Sequence, residues 1–298
     1  MITRSSLRTV DPRDSQPAKR CPVALSSTAR FLGALRQPRD DSRYRSTIVC
    51  AMAMLLFAFS APAVEPLEES IQQKYDVAAD ATLSVHNTDG SIRVYGADQP
   101  VISIQAIKKA YNKERLAGIV VDVKATPDSV AISTSFPPRK GALSDRSGTV
   151  DYIIVVPKTA KVTQLELVNG EILIEGLRHG SSARAHVVNG WLGGHNCFGD
   201  LDLAVESGRL DLAYDWWENH EFAVKAFNTR GNVRAVFPGD ASLNLSATAL
   251  EGRIANGFAK TTPADIVHSV AEVIGPDAQT VVSLEARRGN IRIDKMIY

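Results

Sequence analysis

The sequence predicts an all-β protein: a β-solenoid-like stack of short strands in coils of about 20 residues, with one short helix near residues 108–117. Three observations lead there. First, seven segments share one phrase: apolar alternation, a polar kink, one glycine and an apolar residue two places on. They are LSVHNTDGSIRVYG (83–96), LELVNGEILIEG (165–176), AHVVNGWLGG (185–194), LAVESGRLDL (203–212), VKAFNTRGNVRA (224–235), LSATALEGRIA (245–255) and LEARRGNIRI (284–293). Second, their glycines, Gly90, Gly170, Gly190, Gly208, Gly231, Gly252 and Gly289, are evenly spaced in the middle of the chain; the steps from Gly170 to Gly252 are 20, 18, 23 and 21 residues. Third, the residues two places on, Ile92, Ile172, Leu192, Leu210, Val233, Ile254 and Ile291, share one face if the segments are extended, because strand side chains alternate. Those seven are the expected core. Glycine suits the kink because it takes a positive φ without a Cβ clash.

Asn169-Gly170 alone reads as a β-hairpin turn, so an antiparallel β-sandwich of hairpins is the alternative. A sandwich does not need equal spacing. Stacked coils do, because each buries its face on its neighbours. The stack is therefore preferred.

The flanks are strand-rich as well. Residues 71–107 read as a strand, an Asp-Gly turn, a second strand and a third after Pro100. KKAYNKERLAG (108–118) is charged and ends in glycine, the pattern of a short helix. IVVDVKATPDSVAISTSF reads as a strand pair around Pro127-Asp128, PPRKGALSDRSG as a polar loop, and VDYIIVVP as a buried strand ended by Pro157. Residues 258–280 break the period, and ADIVHSVAEVIG fits a helix or a strand and loop. The last unit, through NIRIDKMIY, is expected to close the stack as a terminal cap.

The N-terminal region is of a different kind. Residues 1–43 have no periodicity and read as a disordered or mis-assigned upstream segment. Residues 44–63 read as a signal peptide: Arg43 and Arg45 flank an apolar run from Ile48 to Phe59, followed by Ala61-Pro62-Ala63. Twelve helical residues span about 18 Å against a hydrocarbon core of about 30 Å, which favours cleavage over a retained anchor. Cys50 begins the apolar run, the wrong place for lipid attachment. The expected domains are then an N-terminal β part, 64–160, and a repeat part, 161–298, continuous with it. Localisation follows as periplasm, cell surface or secreted, with membrane contact only through the export signal.

Removing residues 1–63 takes away ten basic and four acidic residues, leaving 24 and 29, a net charge of −5. That balance argues against nucleic-acid binding, which requires phosphate neutralisation. Only Cys197 remains in 64–298, so no internal disulfide is available, and a packed thiol is expected.

Three blocks in order, TLSVHNTDGSIRVYG followed by QAIKKA, then VDYIIVVPKTAKVTQLELVNGEILIEG, then VVSLEARRGNIRI, resemble the bacterial "putative adhesin" family of exported repeat-β proteins of unknown function. The resemblance runs from about Thr82 to Ile293. It implies a β-solenoid, and it carries no catalytic motif and no site residues. The pattern departs at Ala249-Leu250-Glu251, where the polar residue before the turn is lost.

Candidate chemistry is sparse. His195-Asn196-Cys197 offers two metal-ligand types, and His186 lies one coil position away, but zinc needs three or four ligands; no metal or other cofactor is expected. Glu206, Asp211, Asp215, Glu218 and Glu221 gather in one segment, and paired carboxylates mark glycosidases. Alternation sends Asp211 outward, where a carboxylate is simply solvated. Trp216-Trp217 is the candidate ligand contact: adjacent strand residues face opposite ways, so one indole beside Asn219 should be exposed to a sugar ring or a protein partner. The expected function is a non-enzymatic adhesin or interaction scaffold at the cell envelope, binding a surface glycan or protein. A polysaccharide-active enzyme and an envelope-stress or signalling accessory are the alternatives. Oligomeric state is not legible.

Overall fold

Alternation of apolar side chains appears as alternation of burial, and strands dominate the described residues. The computed structural model describes residues 65–138, 147–259 and 266–297. The upstream segment and export signal expected over 1–63 lie outside the described residues, as does most of the polar loop at 137–148. In chain order the elements are β1 (Leu67–Asp76), β2 (Thr82–Ala97), β3 (Val101–Ala110), α1 (Lys113–Ala117), β4 (Val120–Thr126), β5 (Ser129–Ser135), β6 (Thr149–Pro157), β7 (Lys161–Glu175), β8 (Ser182–His195) and β9 (Asp200–Ala213). They continue as β10 (Ala223–Arg230), β11 (Val233–Pro238), β12 (Leu243–Glu251), β13 (Ile254–Asn256), β14 (Ser269–Ile274), β15 (Thr280–Arg288) and β16 (Ile291–Met296).

One large mixed sheet holds them, in the order β1-β3-β6-β2-β7-β8-β9-β10-β15-β12-β14. The repeat units pair in parallel and in register, glycine on glycine: Gly90 on Gly170, Gly170 on Gly190, Gly190 on Gly208. Asn169-Gly170 is therefore no hairpin turn. Strand β7 runs unbroken through it, and the same holds for Asp89-Gly90 in β2. Each unit has an arm before its glycine and an arm after it. In the later units these arms are separate strands, β10 and β11, β15 and β16, β12 and β13. Backbone bonds also join the loops of successive units, as in Arg178 N–H to Lys158 O (2.8 Å) and Phe198 N–H to Leu177 O (2.9 Å).

All seven expected core residues are buried. They form one column, Ile92, Ile172, Leu192, Leu210, Val233, Ile291 and Ile254 in spatial order. Around it lie the first-arm apolar residues, such as Leu83, Leu165, Leu203 and Leu284.

That order corrects the sequence expectation for the last unit. It does not close the stack. Strand β15 lies between β10 and β12, and β16 lies between β11 and β13. The cap is β14, antiparallel to β12. Because β14 occupies one edge of β12, the returning chain pairs with the other edge. The irregular stretch 258–280 thus contains a strand, with no described helix. The opposite end of the sheet is β1, antiparallel to β3.

The helix is shorter than expected. Lys108–Ala110 belong to β3, because Ile102, Ile104, Ala106, Lys108 and Ala110 alternate onto one buried face. Lys108 is tolerated there because its Nζ reaches Glu69 at 2.9 Å. The helix begins only after Asn112, whose side chain accepts a bond from Arg115 N–H at 2.6 Å, an N-cap that satisfies one otherwise open donor.

The glycines need a second explanation beside φ. Six of the seven have positive φ, 135° at Gly170 for example, but Gly252 does not. What all seven share is close axial contact. A Cβ on Gly170 would lie 1.8 Å from Gly90 O, and one on Gly252 would lie 1.9 Å from Gly289 O. The units stack so closely at the kink that backbone fills the place of a side chain.

Candidate functional site

Strand β9 ends at Ala213, and residues 214–222 form the loop to β10. Trp216 and Trp217 both sit in this loop, not in a strand as the alternation argument assumed. They nevertheless part company. Trp217 turns inward and packs on the core, with ring centroids 5.5 Å from Tyr214, 5.8 Å from Phe222 and 6.0 Å from Phe237. It is one ring in a buried aromatic cluster centred on Phe198 and Tyr214, both fully buried. Trp216 turns outward and is 43% exposed. The structure thus separates the pair into a packing residue and a candidate contact.

Trp216 is held in place. Its inner face lies 5.6 Å from Phe198, the Arg178 guanidinium sits 5.3 Å from its ring centre, and its Nε1–H donates to Glu218 at 3.1 Å. Glu218 also pairs with Arg178. The outer edge opens onto a groove of about 700 Å³ lined by Asp215, Gly239, Asp240, Lys295, Met296 and Ile297. A pre-oriented indole beside carboxylates and an ammonium is suited to a sugar ring or to a protein side chain. Asn219 points elsewhere: its Nδ2 donates to Asp277 O at 3.3 Å.

Nothing local marks Arg178 and Glu218 as partners, since they lie 40 residues apart. Parallel stacking of β7, β8 and β9 brings the loop after β7 to the loop after β9. The third tryptophan, Trp191, was also missed. Its ring lies over Gly193, where a Cβ would come within 2.5 Å of it, and its Nε1–H donates to Asp211 at 2.7 Å.

His195, Asn196 and Cys197 do not converge. Asn196 has φ of 49°, and that turn sends its neighbours to opposite sides. His195 faces out, 3.2 Å from Glu175 and 2.9 Å from Asp215. Cys197 is buried and its Sγ points at Ile174 O (3.4 Å). His186 pairs with Glu206 at 3.3 Å. Among the described residues no group of three or more His, Cys, Asp or Glu side chains could hold a metal ion. Burial pushes the Cys197 thiol up to about 11. Thiolate is the reactive form, so at about pH 8 a soluble thiol reagent is expected to leave Cys197 untouched in the folded protein and to modify it fully in denaturant. Rapid native labelling would contradict this burial.

Asp215 is organised by its neighbours. Asn196 bonds it through Nδ2 at 2.9 Å, and the Asp215 N–H returns a bond to Asn196 Oδ1 at 2.8 Å. The Asn196 amide, and after it the His195 charge, hold the carboxyl below its ordinary range against some desolvation. A depressed carboxyl contributes stability that is in place above about pH 4, its unfolded value, and is lost as pH falls through the lower folded value. Asp215 is half exposed, so the effect is under about 1 kcal/mol. D215N should lower the melting temperature slightly near neutral pH, and the gap from wild type should close in acid below about pH 3. A gap that widens in acid would refute the assignment.

The class defined so far is an all-β protein built on one large mixed sheet, with an aromatic corner. No protein-family model and no curated protein sequence matches the chain. Solved structures do align with it. A "putative cell adhesion protein" from Clostridium sporogenes is 14% identical, with a TM-score of 0.47, over 78% of this chain and all of that one. A "putative adhesin" from Bacteroides fragilis is 11% identical, with a TM-score of 0.26, again over 78% and 100%. Another "putative adhesin", from Parabacteroides distasonis, is 10% identical, with a TM-score of 0.27, over 76% and 97%. Their names coincide with the family that the sequence resembles.

Proposed function

We propose that the chain is an exported β-solenoid that serves as an adhesion or interaction scaffold at the cell envelope. The observation that carries this reading is the exposed Trp216, fixed by Phe198, Arg178 and Glu218 at the edge of an open groove. A large ring held at the surface costs solvation that packing alone does not require, whereas a partner's ring or sugar face would cover it. The solenoid reading is supported by parallel, in-register pairing of consecutive units, 20 residues apart at Gly170–Gly190 and 18 at Gly190–Gly208. Export is supported by the signal-like order of residues 44–63, and among the described residues no helix is long and apolar enough to cross a membrane.

A non-enzymatic role is supported by where the segment's acids go. Glu206 is with His186, Asp211 with Arg209 and Trp191, Asp215 with His195 and Asn196, and Glu218 with Arg178 and Trp216. A glycosidase holds two carboxylates across one bond; here these four are each engaged by a cation or donor, and Glu221 is exposed. The test is protease shaving of intact cells followed by detection of the chain. Digestion on whole cells supports surface adhesion. Resistance in whole cells with digestion only after the outer layer is disrupted would sink it.

A further inference from the structure

Beyond the aromatic corner, the second arms of four units build another site. In the order β9, β11, β16, β13, two columns of residues flank the core column. The residues just after the glycines are Arg209, Asn232, Asn290 and Arg253, and those one place past the core residue are Asp211, Arg234, Arg292 and Ala255. Both columns line a groove of about 420 Å³. Rungs of a sheet lie about 4.8 Å apart, so four rungs give a track about 14 Å long.

The chemistry of this groove is one-sided. Four arginines meet two carboxylates. Asp294 takes Arg234 Nε at 2.9 Å on one oxygen and Arg292 Nε at 2.7 Å on the other. Asp211 takes Arg209 Nε at 2.7 Å and Trp191 Nε1 at 2.7 Å on Oδ2, while its Oδ1 is shut away from solvent. In every case the bond is made through Nε. The terminal Nη groups of Arg209, Arg234 and Arg292 make no bond to a described residue, and the Arg253 side chain has no described acid partner. All three paired arginines remain more than half exposed. The carboxylates therefore orient the guanidinium groups and leave their forks pointing outward.

The amides agree. Asn232 Oδ1 accepts Asn290 N–H at 2.9 Å, and Asn290 Oδ1 accepts Arg253 N–H at 3.0 Å. With their oxygens used by backbone, these side chains turn NH₂ donors to the groove. The track is lined by donors, carries a net charge of about +2 by this count of arginines and acids, and lies on a chain whose 64–298 part is net negative.

We infer that this groove binds an acidic polysaccharide, a chain of uronic-acid sugars laid along the stack. Carboxylates spaced along such a chain match guanidinium forks, which bind planar oxyanions bidentately, and its hydroxyl and ring oxygens accept from the amides. Nucleic acid fits less well, because no aromatic ring lines the groove for bases to stack on. The inference does not rest on Trp216 or on surface exposure, since the groove is a separate site.

The test uses the full chain and immobilised polygalacturonate, with its methyl-esterified form as the uncharged match and polyphosphate and single-stranded DNA as other polyanions. Wild type should bind polygalacturonate, and esterification should abolish binding. R234A/R292A should weaken it at least about tenfold, since two guanidinium forks that would hold its carboxylates are lost. The charge-matched double R184A/K124A should bind as wild type. The four substituted side chains are more than half exposed, and circular dichroism beside thermal melts should show that each variant is folded at the assay temperature. Equal binding to the ester, equal losses in both double variants, or binding to polyphosphate or DNA without polygalacturonate would overturn the inference. Failure of surface shaving with polygalacturonate binding intact would remove the adhesion reading and leave this one standing.

Discussion

G190A is expected to lower stability by more than about 4 kcal/mol, placing it among the most damaging single changes. Gly190 has φ of 144°, and a Cβ there would lie 1.8 Å from Gly170 O and 2.8 Å from Gly170 C. These are backbone atoms of the adjacent rung, held by the parallel ladder on both sides. They cannot move without breaking pairing. Two companions separate the causes. Gly180 has φ of 86° and nothing within 4 Å of a Cβ, so G180A carries only the backbone strain of about 1–2 kcal/mol. Gly252 lacks a positive φ but has the 1.9 Å contact with Gly289 O, so G252A carries only the clash, about 3 kcal/mol. Urea unfolding of the three variants checks the order G190A, then G252A, then G180A. Equal losses for G190A and G180A would show that torsion alone, and not axial stacking, demands glycine.

W217A and W216A are expected to diverge. Trp217 packs on Tyr214, Phe222 and Phe237, and deleting its ring leaves a void among buried aromatics, about 3 kcal/mol. Its Nε1 is buried with no hydrogen-bond partner among the described residues, so W217F should retain most of the stability. Trp216 has an exposed face, and its removal should change stability by under about 1 kcal/mol. If the corner is a contact site, W216A should instead weaken attachment to the partner about tenfold or more, as for a central interface aromatic. Thermal melts beside a cell- or glycan-attachment assay give both readouts. Destabilisation by W216A comparable with W217A, without separate loss of attachment, would reduce the corner to packing.

Much of the fold could be read from particular residues. Ile92, Ile172, Leu192, Leu210, Val233, Ile254 and Ile291 were legible as core because a strand period of two leaves one choice of face, and all are buried. The hairpin of β4 and β5 was legible from Pro127-Asp128, and its antiparallel pairing follows. The extent of the helix was not, because Lys108 and Lys109 look helix-friendly, and only burial against neighbouring strands makes them extended. The site was half legible. Adjacent tryptophans announced one exposed ring, but nothing local says that Trp216 rather than Trp217 faces out. That is decided by Phe198 in the preceding loop and Arg178 in the loop before it.

The sequence by itself determined the all-β class, the repeating unit, the position of each kink and the face turned to the core, since these are local matters of alternation and glycine. Only the tertiary structure decided the order of the rungs. The last unit lies between the fifth and sixth because β14 already covers one edge of β12. It also decided what the glycines are for and which arginines meet. Arg209, Arg234, Arg292 and Arg253 are spread over 84 positions of the chain, and they share a groove because in-register parallel pairing places equivalent residues of distant units on neighbouring rungs.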